Sequence, residues 1–81
     1  MAANENNPPV MKISQVAERV GVSKQTIEYY VMLGLLRPAR DPVTRRRKFV
    51  EADVRRAKLI HRLNRSGYTL RDIRNMWLKG K

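Results

Sequence analysis

The sequence predicts a mostly α-helical domain of about four helices, with one small two-stranded β-hairpin between the second and third. Three observations predict it. Apolar residues recur at helical spacing in separate short stretches, each marking one face of a helix. Glycines at 21, 34, 67 and 80 punctuate those stretches. Between the second and the third, Pro38 and Pro42 interrupt a segment that cannot be helical.

Residues 1–10, MAANENNPPV, are expected to form a disordered leader, because polar sequence ending in Pro8-Pro9 has too little apolar surface to bury. The folded domain is expected over 11–79. Its first helix should follow Ser14 as N-cap, with Val16, Ala17 and Val20 inward and Ile13 just before the cap. Gly21 stops that helix, since glycine enters the left-handed conformation cheaply. Val22 then turns inward and Ser23 caps a second helix that runs to about Leu33. Its inner face is Ile27, Tyr30 or Val31, and Leu33, and Gly34 ends it. Leu35-Leu36-Arg37 and Arg47-Lys48-Phe49-Val50 are expected as two short strands joined by a turn at Asp41-Pro42-Val43-Thr44. Strands this short must lie against the helices to persist. A third helix is expected over about 51–65, with Val54, Ala57, Leu59, Ile60 and Leu63 as its apolar stripe. Gly67 ends it. Thr69-Leu70-Arg71-Asp72 has the form of a capping box with Asp for Glu, so a fourth helix follows. That helix places Leu70, Ile73 and Trp77 on one face with Met76 beside them, and Gly80 closes it. Met32 and Met76 are read as packing residues, Trp77 as core covering the third helix or else as part of a surface for a missing C-terminal segment or partner, and His61 as lying at the surface or core margin.

A chain of 81 residues holds one domain with a small core. It has no cysteine, which removes disulfides and thiolate metal sites and fits a reducing compartment. One histidine cannot build a metal site alone. No apolar run is long enough for a membrane span, and the N-terminus lacks a signal-peptide pattern. No nucleophile, base and orienting group assemble, and no phosphate-binding loop occurs, so no enzyme and no cofactor are expected. The charge is decisive. Eighteen Lys and Arg face seven Asp and Glu, a net charge of +11, and twelve of the basic residues are Arg. This surplus exceeds what solubility needs and implies a polyanionic partner, with nucleic acid foremost.

Two short helices joined by a tight turn, the second with a polar outer face, make a helix-turn-helix, and a basic hairpin follows them. Such a second helix fits the major groove of B-DNA, with its N-terminal residues on base edges. The expected recognition helix is about 23–33. Ser23, Lys24, Gln25, Thr26, Glu28 and Tyr29 lie on its outer side or its cap. Gln25 suits adenine, Lys24 guanine or phosphate, and the Tyr29 hydroxyl a phosphate. Tyr29 is expected outward and Tyr30 inward. Thr26 either touches DNA or supports the helix. Arg45, Arg46, Arg47 and Lys48, on the hairpin over about 44–49 beside that helix, are expected on phosphates or in the minor groove. Arg65, Tyr68 and Arg71 surround the turn before the fourth helix, whose N-terminal amides also suit a phosphate. Arg37 and Arg40 are candidate outer contacts.

An ordered set of residues carries a family resemblance: Ile13, Val16-Ala17, Gly21-Val22-Ser23, Thr26-Ile27, Tyr29-Tyr30, Gly34-Leu35-Leu36, Pro38-Ala39, Arg47, Phe49, Glu51, Asp53-Val54, Ile60, Leu63, Gly67-Tyr68, Leu70 and Ile73. With these, residues 12–78 resemble the DNA-binding domain of MerR-type bacterial transcription regulators. The resemblance implies a winged helix-turn-helix, in which 35–50, with its basic tip at about 44–49, is a first wing and the last two helices form a second, helical wing. It also implies the cytoplasm, on the nucleoid, as the place of action. Members commonly dimerise through a long helix C-terminal to this domain and bind an inverted repeat. Many twist the promoter when a ligand binds elsewhere on the protein. Two departures stand out. Glu28 occupies a position that is usually basic, where it either reads a cytosine amino group or is neutralised by a neighbouring arginine. The wing reads Arg45-Arg46-Arg47-Lys48-Phe49 where the family has Gly-Tyr-Arg-x-Tyr, so it should grip the backbone more strongly.

The expected partner is double-stranded DNA, with no membrane. Without the family's long helix before Lys81, a monomer is expected in isolation, and pairing only on DNA or through a further C-terminal segment. The main alternative is an excisionase-like architectural factor of a mobile element, which bends DNA with a similar small winged domain. A third reading is an adaptor whose basic face docks an acidic protein or membrane.

Overall fold

The computed structural model describes residues 10–79. The leader, apart from Val10, and Gly80 lie outside the described residues. Four helices and one hairpin follow in the order α1 (Ile13–Val20), α2 (Lys24–Met32), β1 (Ala39–Arg40), β2 (Arg47–Lys48), α3 (Glu51–Arg65) and α4 (Leu70–Lys79). α1 packs on α2 and α3, and α3 on α4. The mostly helical, winged architecture is the one the sequence predicts.

α1 begins earlier than expected. Its N-cap is Lys12, and Ser14 is already helical. The cause is non-local. Met11 and Phe49 exchange both backbone hydrogen bonds, at 2.7 and 3.1 Å, which holds the chain extended up to Lys12. The Gln15 side chain then accepts the Lys12 amide at 2.8 Å, so the helix starts two residues before Ser14 could cap it. Gly21 ends α1 at φ +88°, and the Gly21 and Val22 amides both reach the Ala17 carbonyl. α2 is capped as expected, the Ser23 hydroxyl accepting the Thr26 amide at 3.1 Å. Ile27 and Tyr30 form its buried face.

The second strand, Arg47–Lys48, and the turn at Asp41 stand where expected, but the first strand is displaced. Leu35 and Leu36 are not in a strand; both are buried, and their amides both donate to the Tyr30 carbonyl. Pro38 has no amide, so pairing starts only beyond it, as Ala39 with Lys48 and Arg40 with Arg47. Asp41 organises the turn. Its Oδ1 accepts the Val43 amide at 2.8 Å and the Thr44 amide at 3.0 Å, while its backbone pairs with Arg45 and Arg46. Arg45 sits at the tip with φ +67°, a left-handed conformation costly for an arginine.

α3 buries Val54, Ala57 and Ile60, and its first-turn Asp53 accepts the Val50 amide at 2.9 Å. Leu59, expected in the stripe, is exposed instead. α4 has the predicted capping box: Thr69 and Asp72 exchange bonds of 3.0 and 3.1 Å. Ile73 is fully buried, whereas Trp77 is only partly covered. Met32 and Met76 are exposed rather than packed, Met32 by 76%. Both sit on helix faces turned away from the core, where methionine's unbranched chain costs little in solvent.

Two predictions follow from this packing. Phe49 is fully buried and also anchors Met11, so Phe49→Ala should cost about 3–5 kcal/mol, most of a small domain's stability. Urea titration followed by circular dichroism should show the variant largely unfolded without denaturant. Asp41 is held below its ordinary carboxyl value of 3.8 by the Thr44 and Val43 amides. A depressed folded-state value stabilises the turn above about pH 4, and that contribution is lost as pH falls through the lower folded value. Wild type should therefore exceed Asp41→Asn in stability at neutral pH, and the two should converge in acid.

Candidate nucleic-acid interface

The site is built outward from α2. Ile27 and Tyr30 are inside, so their neighbours must face out: Lys24 and Gln25 are exposed on the first turn. Tyr29 is 51% exposed against 1% for Tyr30, so the aromatic pair divides as the helical period requires. Thr26 is half-buried, and its hydroxyl lies 3.0 Å from the Ser23 hydroxyl. It supports the cap. Ser23, Gln25, Thr26 and Tyr29 share a shallow depression with His61 and Asn64 of α3 and Leu70 of α4. The outer side of α2 is therefore continuous with the α3–α4 turn.

Glu28 points to the other flank. Its carboxylate accepts from Arg47 Nη1 at 2.5 Å, so the structure contains the pairing that neutralises it. Among the described residues this is the one side-chain hydrogen bond between α2 and the hairpin. Arg45 and Arg46 are exposed at the tip, while Arg47 and Lys48 are half-buried in β2. Lys48 Nζ lies 3.9 Å from the Asp41 carboxylate. Arg40 Nη1 donates to the Arg45 carbonyl at 3.0 Å and so braces the strained tip.

One cation here was not singled out from the sequence. Lys12 joins Arg40, Arg45, Arg46 and Arg47 around a groove floored by Ile13 and Phe49. Its position depends on the Met11–Phe49 pairing, which brings the start of α1 beside the hairpin. Nothing local in the sequence signals that approach.

On the opposite flank Arg65, Tyr68 and Arg71 are all exposed. Asn64 Nδ2 donates to the Tyr68 carbonyl at 2.7 Å and fixes the turn. The Thr69 hydroxyl already takes the Asp72 amide, which leaves the Leu70 and Arg71 amides at the open end of α4. The structure thus sets α2 between two basic flanks. It does not bring the flanks into contact with each other. Arg37 lies apart from both, beside Arg56 and Trp77.

Among the described residues no group of three His, Cys, Asp or Glu could hold a metal, and no helix is long and apolar enough to cross a membrane.

Comparison with known proteins agrees with this architecture. Residues 11–79 match the family described as MerR HTH family regulatory protein. The chain is 38% identical over 69 residues to the mercuric resistance operon regulatory protein of Shigella flexneri, an alignment covering 85% of this chain and 48% of that protein. It is 34% identical over 61 residues to the uncharacterized HTH-type transcriptional regulator YyaN of Bacillus subtilis, covering 75% and 44%. Among solved structures, HiNmlR superposes with a TM-score of 0.76 and 29% identity over 84% of this chain and 54% of that one. HiNmlR is a MerR family regulator lacking the sensor domain, crystallised bound to promoter DNA. The chain spans about half the length of these relatives. These relatives are regulators, not enzymes, and with nearly its whole length matched, the chain belongs to the MerR family of helix-turn-helix regulatory proteins.

Proposed function

We propose that this domain binds duplex promoter DNA and serves transcription regulation, with α2 in the major groove and a basic wing on either side. The observation that carries this reading is the placement of α2. Its polar N-terminal half is exposed on a buried base of Ile27 and Tyr30, between the arginine-rich hairpin and the Arg65–Arg71 turn. The crystallisation of HiNmlR on promoter DNA supports it.

The division of labour follows from the side chains. Lys24 and Gln25, at the end of α2 that leads into the groove, read base edges, and Tyr29 donates to a phosphate. Ser23 and Thr26 hold that end rigid. Arg45 and Arg46 take phosphates beside the groove, together with Lys12 and Arg40. Arg47 and Lys48 lie behind them, Arg47 oriented by Glu28. Arg65, Tyr68, Arg71 and the free amides of α4 take phosphates on the far flank. Each phosphate neutralised releases counterions, so most of the affinity is electrostatic and falls steeply with salt. Two copies meet on DNA through paired half-sites, or through a further C-terminal segment.

Selection of bound duplexes from a random library at physiological salt tests the reading. An enriched short motif is the expected result, and its repetition as an inverted pair would report two protomers. Retained binding with no motif would overturn base readout by α2. Two substitutions separate the roles. Arg45→Ala should reduce the slope of log affinity against log salt by about 0.9 while leaving the selected motif intact. Gln25→Ala should cost about 1–3 kcal/mol on the selected site and relax preference at one base position. Fluorescence anisotropy across a salt series measures both.

A further inference from the structure

A second basic feature lies away from the interface described above. At the C-terminal end of α2, the loop after it, the start of α3 and the middle of α4 enclose a cleft of about 440 Å³. Arg37, Arg56, Arg74 and Trp77 line it, with Asp53 as its acid. Two of the guanidiniums are held in place. Arg56 donates Nε–H to the Leu35 carbonyl at 2.8 Å and lies over the Trp77 ring, 4.1 Å from its centroid. Arg74 donates Nε–H to the Leu33 carbonyl at 2.9 Å. None of the three arginines forms an ion pair with a carboxylate among the described residues. Asp53 instead accepts the Val50 amide.

An arginine fixed through Nε keeps its terminal amino groups for a ligand. Because its rotamer is already set, it loses little freedom when a carboxylate binds. Trp77 adds a partly exposed apolar plate, and Trp with Arg is the pairing that anchors protein contacts. The cleft is a poor match for DNA read by α2. It lies at the opposite end of that helix from Lys24 and Gln25, ~15 Å away at the helical rise. The last turn of α2 carries no basic residue to connect the two.

We propose that this cleft docks an acidic segment of a partner protein, with carboxylates on Arg37, Arg56 and Arg74 and an apolar side chain against Trp77. Charge complementarity selects such a partner: three guanidiniums without an ion pair among the described residues stand around Trp77 and a single acid that is already bonded. The docking goes beyond the DNA-binding reading, and its test contains no DNA in its main arm.

Trp77 is the only tryptophan, so its emission reports the cleft directly. The probe is a short synthetic peptide alternating Glu and Phe, titrated into the whole chain at physiological salt. A saturable change in Trp77 emission is expected. Arg37, whose side chain makes no hydrogen bond or ion pair among the described residues, can be changed without loss of structure, as circular dichroism would verify. Arg37→Glu should weaken the peptide by about tenfold, the loss of one charge-assisted pair. Arg37→Ala should weaken it less, and Lys24→Glu, at the other end of α2, should change it by under about twofold. The absence of a saturable change with wild type would overturn the proposal. So would equal weakening by Arg37→Glu and Lys24→Glu, which would mean general attraction to a basic surface. If a short duplex moves Trp77 emission where the peptide does not, and Arg37→Glu removes that response, the cleft belongs to nucleic acid and the proposal also fails.

Discussion

Arg47 meets Glu28 across the gap between the hairpin and α2, and the relation of the hairpin flank to the helix rests on that contact. The hairpin has two residues in each strand, too few to be stable alone. Its base is tied to the start of α1 by the Met11–Phe49 exchange. The ion pair is the one side-chain hydrogen bond that links it to α2 among the described residues. Both partners are partly exposed, so its direct contribution to folding is small. Its effect is geometric. On the proposed interface it also neutralises an acid that would repel phosphate.

The rest of the molecule makes α2 rigid enough to use that geometry. A polar helix has few contacts of its own. Here it rests on Ile27 and Tyr30, and the chain leaving it is held from several sides. The Tyr30 carbonyl accepts two amides, and Arg56 and Arg74 hold the Leu35 and Leu33 carbonyls from α3 and α4. The Arg19–Glu51 pair, at 2.7 Å, joins α1 to the start of α3. It holds the Glu51 carboxyl below its usual range, chiefly through the Arg19 hydrogen bond. Arginine therefore has two uses in this chain. Some guanidiniums brace backbone carbonyls, while those at the hairpin tip and the α3–α4 turn stay exposed.

Features set by local chemistry were legible in the sequence. The Ser23 cap, the Gly21 stop, the Thr69–Asp72 box and the outward Tyr29 all depend on residues within one turn of one another. Features set by distant partners were not. The start of α1 was misplaced because Phe49, far along the chain, holds Met11. The first strand begins later than expected for a nearer reason: the Tyr30 carbonyl, five and six residues back, takes the amides of Leu35 and Leu36. Lys12 was missed for the same reason as the start of α1. Leu59, Met32 and Met76 show the limit of reading apolar residues as core, since a domain this small cannot bury all of them. Glu28 lay between the two cases. Its need for a basic neighbour was readable, and the neighbour's identity required the fold.

The central claim is that α2 and the hairpin act on DNA as one unit because Glu28 orients the hairpin through Arg47. A double-mutant cycle between Glu28→Gln and Arg45→Ala, read as affinity for a selected duplex, tests it most directly. Glu28 and Arg45 share no hydrogen bond, so independent action would make their effects add within about 0.5 kcal/mol. The account predicts that they do not add: with Glu28 neutral, the hairpin tip loses its placement and Arg45→Ala costs clearly less. Additive effects would contradict the account and leave the hairpin and the helix as separate contacts.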